Sequence, residues 1–83
     1  LSHEALVEDF VTIAPNATIC GAVSIATGAD IGASATIIQL KKIGAWSIVG
    51  AGTVVIKDVV ENVTVVGNPA RQIAERKSGW QNN

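Results

Sequence analysis

The 83-residue chain has a single histidine, His3, which lies beside Glu4 near the first residue. An imidazole titrates close to neutral pH, so it can accept a proton from an attacking nucleophile, and a nearby carboxylate favours the imidazolium that forms. His3 is therefore a candidate general base and Glu4 a candidate supporting acid. The assignment of Glu4 is weaker, because neighbours on a strand point to opposite faces and only a corner bend would bring its carboxylate to the ring. For both residues a plain surface position stays open as the alternative.

The overall composition excludes several classes of partner. The net charge is -1, and no run of Lys and Arg provides the positive surface that a nucleic-acid partner needs. No apolar run approaches the roughly 20 residues of a membrane-spanning helix. Cys20 is the only cysteine, so no internal disulfide can form, and a small buried thiol is expected. We therefore expect a cytoplasmic protein that binds neither nucleic acid nor a membrane.

An internal six-residue repeat runs through most of the chain. Ile, Val and Leu make up 24 of the 83 residues, so ten consecutive hits in one register would arise by chance roughly a few times in a million. A helix cannot use this period, because six steps of about 100° scatter the marked residues over three faces. Strands can use this period, because their side chains alternate between two faces and six is a multiple of two. The marked residues are Leu1, Val7, Ile13, Ile19, Ile25, Ile31, Ile37, Ile43, Val49 and Val55.

The residues two positions before the marked ones should also face inward, and most of them are small or aliphatic. Small residues beside a branched aliphatic suit a narrow prism in which three hexapeptide rungs complete one turn of the chain. The sequence thus predicts an all-β hexapeptide parallel β-helix of about three coils. Only Lys41 breaks the inward pattern. The inward partners are Ala5, Val11, Ala17, Val23, Ala29, Ala35, Lys41, Ser47, Thr53 and Val59.

The chain divides into a β-helix domain over residues 1–60 and a C-terminal cap with a polar tail over residues 61–83. The repeat is expected to end after Val59, because Glu61 occupies the next marked position. A short strand over Val63 to Val66, a Gly-Asn-Pro bend and a short helix from Pro69 through Arg76 are expected to follow. A stack this short is a doubtful monomer, because repeat proteins need covered ends. We therefore expect lateral association into a homotrimer.

Four stretches together resemble a known family: the His-Glu pair, "DFVTIAPNATICG", "IVGAGTVVIKDV" and "NVTVVGNPAR". They are similar to the C-terminal domain of bacterial sugar acetyltransferases, in the branch of the sialic acid O-acetyltransferases and nucleotide-aminosugar N-acetyltransferases. The resemblance implies a left-handed coil, acetyl-CoA as cosubstrate and a sugar or nucleotide-sugar acceptor in surface glycan synthesis. It also assigns the general base to His3 and its supporting acid to Glu4.

The period of three rungs and the resemblance together locate a cofactor groove. His3 is expected to stack with Gly21, while Pro15, Ala33 and Ala51 form a second narrow column. Without large side chains, the columns would let a pantetheine arm lie against the backbone amides. The resemblance places acetyl-CoA along Gly21, Ala33 and Ala51, in a cleft shared with an adjacent subunit. The alternative is that these small residues only turn the corners of the prism.

Thr12 stands nine positions after His3, where family members often carry a second histidine that contacts the acetyl thioester. Its hydroxyl can still donate a hydrogen bond to the thioester carbonyl, but it cannot carry a positive charge. A plain strand residue is the equally open alternative. Trp46 and Trp80 are expected to cover an end or an interface rather than to stack on an adenine.

Two other functional classes share this scaffold. A γ-type carbonic anhydrase needs three imidazoles for each zinc, and one histidine in each chain cannot supply two from one subunit and one from the next, so no metal is expected. A purely structural or ice-binding β-helix would present a ladder of hydroxyls with one member in every coil. Thr18 and Thr36 begin such a ladder, but Val54 ends it. A structural or assembly role therefore remains the alternative to acetyl transfer.

Overall fold

The computed structural model describes residues 5–75. None of these residues belongs to a helix that is long and apolar enough to cross a membrane. They form nine two-residue strands followed by two longer ones. The strands are β1 (Leu6–Val7), β2 (Thr12–Ile13), β3 (Thr18–Ile19), β4 (Ser24–Ile25), β5 (Asp30–Ile31), β6 (Thr36–Ile37), β7 (Lys42–Ile43), β8 (Ile48–Val49), β9 (Val54–Val55), β10 (Val63–Val66) and β11 (Arg71–Glu75).

Every third strand joins the same sheet, so the chain winds into a three-sided parallel β-helix. Face A contains β1, β4 and β7, face B contains β2, β5, β8, β10 and β11, and face C contains β3, β6 and β9. Among β1 to β9, the paired residues of successive coils are separated by three full rungs on every face, as in Leu6 with Ser24, Thr12 with Asp30 and Thr18 with Thr36. The predicted all-β parallel β-helix of about three coils is confirmed.

Two-residue turns form the three corners of the prism. We call them the A–B corner (residues 9–10, 27–28 and 45–46), the B–C corner (15–16, 33–34 and 51–52) and the C–A corner (21–22 and 39–40). The second residue of each turn adopts a left-handed backbone, with φ between 58° and 75°. Glycine and asparagine adopt this conformation at the lowest cost. Nevertheless, Phe10, Leu40 and Trp46 occupy three of these positions.

The core is the interior of the prism, and the inward columns fill it as predicted. Ile25, Ile31 and Ile37 are almost completely buried, and so are small partners such as Ala29 and Ala35. The upper coil is more open, and its inward residue Val7 keeps 38% of its surface exposed. Lys41 is only half-buried, as its charge demands. The inward columns thus supply one continuous apolar core beneath three outer faces.

The lower end continues the stack beyond the point where the sequence predicts that it stops. Ile43 bridges to Val59, and Val49 pairs with Val65. In both pairs the two partners are closer in sequence, by two positions, than the paired residues of the coils above. The repeat therefore skips two positions after Val55 and then resumes, because Val65 again follows Val59 by six. The expectation that the repeat ends after Val59 was wrong: Glu61 is out of phase only because the frame has shifted.

The predicted strand over residues 63–66 is confirmed as β10, whereas the helix expected from Pro69 onward is wrong over its described part. Arg71–Glu75 forms the strand β11, which pairs antiparallel with β10. The physical reason is that β10 lies at the end of face B and would otherwise leave backbone groups unpaired. This tertiary demand overrides the weak helical preference of the segment.

Removal of either of two buried hydroxyls at equivalent inward positions is expected to change the stability of the fold in opposite directions. The Ser47 Oγ donates to the carbonyl of Gly44 at 2.7 Å, whereas the Thr53 Oγ1 is buried without a hydrogen-bond partner. We expect Thr53→Val to raise the free energy of unfolding by about 1 kcal/mol and Ser47→Ala to lower it by about 1 kcal/mol. Urea denaturation of the two variants measures both changes. A loss of stability in Thr53→Val would show that its hydroxyl does have a partner.

Substitution of two glycines with left-handed backbones distinguishes the energetic cost of a steric collision from the cost of an unfavourable φ. A Cβ at Gly28 would collide with the indole ring of Trp46, whereas nothing lies within 4 Å of a Cβ at Gly52. We expect Gly52→Ala to cost about 1 kcal/mol for its positive φ, and Gly28→Ala to cost about 1 to 3 kcal/mol more for the collision. The midpoints of thermal unfolding report the difference. Equal losses would mean that the indole moves aside freely.

Candidate cofactor site

His3, Glu4 and Trp80 lie outside the described residues. The roles of His3 and Glu4 therefore stay predictions from the sequence. The remaining predicted site residues all belong to described parts of faces B and C and their corners. Their placement decides which of them can act together within one chain.

Ala33 and Ala51 lie directly above one another at the B–C corner. The amide of Ser34 donates to the carbonyl of Pro15 at 3.1 Å, and the amide of Gly52 donates to the carbonyl of Ala33 at 2.8 Å. Both alanine side chains are exposed. The predicted column of small residues is therefore present, and it offers exposed main chain along the height of the prism.

Two of the three turns at this corner begin with a free hydrogen-bond donor, whereas Pro15, which begins the uppermost turn, has no N–H. Within residues 5–75, the N–H groups of Ala33 and Ala51 have no hydrogen-bond acceptor. One of the three equivalent amides at the A–B corner belongs to Thr27, and there the Glu8 carboxylate accepts from both the N–H and the hydroxyl at 3.0 Å. Because a carboxylate occupies that donor, the same geometry at Ala33 and Ala51 can serve an external carbonyl or phosphate oxygen.

Gly21 and Thr12 lie apart from one another. Gly21 begins a turn at the C–A corner, where its carbonyl accepts from the amide of Leu40 at 3.1 Å. Thr12 is exposed at the start of β2 on face B, the face that leads into the B–C corner. Thr12 thus lies on the face between the A–B and B–C corners, Ala33 and Ala51 lie at the B–C corner, and Gly21 lies at the opposite edge of face C.

Face A carries a groove that was not predicted from the sequence. It has a volume of about 270 Å³ and is lined by Leu6, Glu8, Ser24, Lys42 and Gly44, among others. Its lining combines outward residues that recur once in every coil, such as Ser24 and Lys42, with parts of inward residues such as Ile25 and Ile43. That recurrence was visible in the sequence, but the stronger inward periodicity masked it. The groove lies across face A, between the C–A and A–B corners, and the turn residues of these two corners are not among those that line it.

Trp46 lies at the A–B corner, with its ring against Gly28. Its indole therefore covers a corner of the prism, remote from the B–C corner where Ala33 and Ala51 lie. Cys20 is half-buried rather than fully buried, because it faces outward beside Ile19 on face C. Among the described residues, no group of three or more His, Cys, Asp or Glu side chains could hold a metal ion.

Comparison with solved structures places this backbone among acetyltransferases. Perosamine N-acetyltransferase from Caulobacter crescentus, solved with CoA and GDP-perosamine, is 31% identical with a TM-score of 0.88, over 90% of this chain and 36% of that one. The acetyltransferase domain of PglB from Neisseria gonorrhoeae, solved with acetyl coenzyme A, is 34% identical with a TM-score of 0.87, over 88% of this chain and 36% of that one. WeeI from Acinetobacter baumannii is 42% identical with a TM-score of 0.85, over 88% and 37%.

The curated relatives are also acetyltransferases, and their names give different acceptors. Serine acetyltransferase 4 of Arabidopsis thaliana is 37% identical over 81 residues, or 88% of this chain and 23% of that protein. The dTDP-3-amino-3,6-dideoxy-alpha-D-galactopyranose 3-N-acetyltransferase of Aneurinibacillus thermoaerophilus is 41% identical over 51 residues, or 61% of this chain and 27% of that protein. The chain thus spans about a quarter of the length of these relatives.

No family model matches the chain. The repeat, the backbone and the relatives nevertheless agree, because sugar N-acetyltransferases recur among both the solved structures and the curated proteins. By its repeat, its backbone and its sequence, the chain is a hexapeptide-repeat β-solenoid related to the sugar N-acetyltransferases.

Proposed function

We propose that this chain is the acetyl-CoA-binding and catalytic part of an acetyltransferase that acts on a sugar or nucleotide-linked aminosugar in the cytoplasm. The observation that carries the proposal is the open column of alanines at the B–C corner, on a backbone that superposes on an acetyltransferase domain crystallised with acetyl coenzyme A. A sugar acceptor is favoured because the neighbours include an N-acetyltransferase solved with GDP-perosamine. Transfer to oxygen and transfer to nitrogen use the same chemistry at this site.

The cofactor would lie along the B–C corner, where its extended pantetheine arm meets main chain instead of side chains. The free N–H groups of Ala33 and Ala51 would donate to its amide carbonyls, spaced by the rise between coils of about 4.8 Å. The Thr12 hydroxyl, on the adjoining face, would donate to the thioester carbonyl and stabilise the charge that develops on its oxygen. Gly21 would supply a second stretch of bare main chain.

The reaction would be a direct transfer. His3 would accept the proton of the acceptor hydroxyl or amine while the acceptor atom attacks the thioester carbonyl carbon. The carbon–sulfur bond then breaks, the acetyl group stays on the acceptor and CoA leaves as the thiolate, to which the proton can pass. Glu4 would stabilise the imidazolium of His3. We also propose that the working molecule is a homotrimer, because lateral packing would bury outer faces of a stack whose own core is small.

The role of His3 is tested by the His3→Ala variant. We expect turnover to fall by about 10² to 10⁴, because general-base catalysis contributes that much, while acetyl-CoA binding stays intact. Release of the CoA thiol in the presence of a panel of aminosugars and nucleotide-linked sugars measures turnover, and calorimetric titration measures binding. Near-normal turnover in the variant would remove His3 from the mechanism. Absence of thiol release with every acceptor would favour a purely structural β-helix.

The cofactor column is tested by Ala51→Leu, with Ala45→Leu as the matched control. Both alanines begin a turn, but Ala45 lies at the A–B corner, outside the proposed groove. We expect Ala51→Leu to weaken acetyl-CoA binding at least about tenfold, since the new side chain would fill the space of the pantetheine arm, a loss of about 1.4 kcal/mol. Titration calorimetry measures both variants. Equal affinity in the two would show that the cofactor does not lie along the B–C corner.

A further inference from the structure

The outer surface of face B has two columns of residues that differ in character. The column next to the B–C corner is bare main chain over most of its height. A Cβ at Gly32 would lie 2.6 Å from the main-chain nitrogen of Ala51, so the coil below leaves no room for a side chain there. The column nearer the A–B corner carries larger and more polar side chains. From the upper coil down, the larger column is Thr12, Asp30 and Ile48, and the bare column is Ala14, Gly32 and Gly50.

Asp30 lies directly below Thr12 in the larger column. The two residues are strand partners in β2 and β5, and both are exposed. Neighbouring strands are about 4.8 Å apart, and the outward side chains of strand partners stand side by side. The carboxylate of Asp30 and the hydroxyl of Thr12 therefore share one small area in the upper part of face B.

The carboxylate of Asp30 has no structural task among residues 5–75. The carboxylates of Glu8 and Asp58 accept hydrogen bonds from main-chain amides. Within the same residues, no hydrogen bond or ion pair involves the side chain of Asp30. Aspartate is also disfavoured in strands, so a threonine or an aliphatic residue would suit the position better. A residue that breaks the local preference and supports nothing in the fold is a candidate for contact with a ligand.

The charge on Asp30 distinguishes between the two kinds of acceptor. In the proposed function, Thr12 stabilises the negative charge that develops on the thioester oxygen, and an ionised carboxylate nearby opposes that charge. This opposition is offset when a positive charge develops at the same place. An amine nitrogen becomes positively charged as it bonds to the carbonyl carbon, and a neighbouring carboxylate favours that charge. A hydroxyl that gives its proton to His3 as it attacks develops no comparable charge.

Phe10 lies at the A–B end of this area. It is 79% exposed and has a left-handed backbone with φ of 63°. A bulky residue is costly in this conformation, and an asparagine or glycine would hold the same turn more easily. Phe10 precedes Thr12 by two positions in the same coil, so an acceptor beside Thr12 can reach its ring. The electron-rich face of an aromatic ring packs well against the C–H groups of a sugar.

We infer that Asp30 contacts the nitrogen of an aminosugar acceptor, that Phe10 packs against the sugar ring, and that Asp30 thereby favours transfer to nitrogen over transfer to oxygen. This inference rests on the proposed function for the position of the thioester. The nitrogen–carbon bond forms and the carbon–sulfur bond breaks. One proton of the nitrogen passes to His3 and then to the departing thiolate of CoA, while Asp30 accepts a hydrogen bond from the N–H that stays on the nitrogen.

The contact with nitrogen is tested by Asp30→Asn, which keeps the shape of the side chain and removes its charge. The acceptors are nucleotide-linked aminosugars, GDP-perosamine among them, each paired with the sugar that has a hydroxyl in place of the amine. Release of the CoA thiol gives kcat/KM for both members of a pair. We expect the preference for the amine to fall at least about tenfold, with circular dichroism and the affinity for acetyl-CoA unchanged. The matched control is Glu61→Gln, which removes an exposed carboxylate near the lower end and should keep the preference.

The contact with the sugar ring is tested by Phe10→Asn, because asparagine tolerates a left-handed backbone and removes the ring. We expect KM for the aminosugar to rise at least about fivefold while kcat changes little, since the ring would contact the acceptor equally before and during the reaction. The same variant should keep the preference for the amine, which separates its role from that of Asp30.

An unaltered protein that prefers the hydroxyl, an unchanged preference in Asp30→Asn, a lost preference in Glu61→Gln, or an unchanged KM in Phe10→Asn would overturn the inference. Calorimetric titration of the aminosugars without acetyl-CoA separates it from the proposed function. A chain that binds the amine through Asp30 and releases no thiol would contradict the proposed function alone. Thiol release that does not depend on Asp30 would contradict the inference alone.

Discussion

The backbone ladder between successive coils is the constraint on which the rest of the molecule depends. The two-residue strands have no partner within their own coil, so their amides donate to the coil below, as from Thr12 to Ala29 at 3.0 Å and from Asp30 to Ser47 at 2.9 Å. A one-position shift would turn every inward side chain outward. The ladder and the inward aliphatic columns therefore enforce the same spacing, and the outer faces are free to carry other chemistry.

The shortened rung near the lower end shows how strict this requirement is. A regular amide donates to the carbonyl just before its strand partner in the next coil, as Ser24, the partner of Lys42, donates to Lys41. Because the rung after Val55 is two residues shorter than the others, no main-chain carbonyl lies at the regular place in the next rung. There the Asp58 carboxylate accepts from the amide of Lys42 at 2.9 Å, in place of a main-chain carbonyl. Once the frame has shifted, Gly44 donates to Val59 and the ladder continues. A side chain thus bridges a local gap, because an unpaired amide costs more than a change of frame.

The sequence was sufficient for the period, the parallel coils and the inward columns, because a burial pattern repeated over ten rungs averages out local exceptions. The sequence was not sufficient where the structure departs from the repeat at a single place. The frame shift after Val55 was readable in principle, since Val59 and Val65 resume the spacing, but Glu61 concealed it. The pairing of β11 with β10 depends on an exposed edge that no local pattern reveals. For the site, the period stacked Ala33 on Ala51 correctly. It also put Gly21 in a separate column, and the structure places Gly21 at the C–A corner, one rung away from the B–C corner.

The three corners have nearly the same backbone, so their functional differences arise from the side chains that reach them. At the A–B corner, Glu8 occupies the turn amide of Thr27 and the ring of Trp46 packs on Gly28, so the middle coil of that edge is obstructed. At the B–C corner, alanines leave equivalent amides free. Since a hydrogen-bond donor that faces water gains little by itself, an open column becomes a binding surface only when a ligand with matching acceptors excludes that water. The extended amides of a pantetheine arm meet this condition, because they repeat along a line as the coils do.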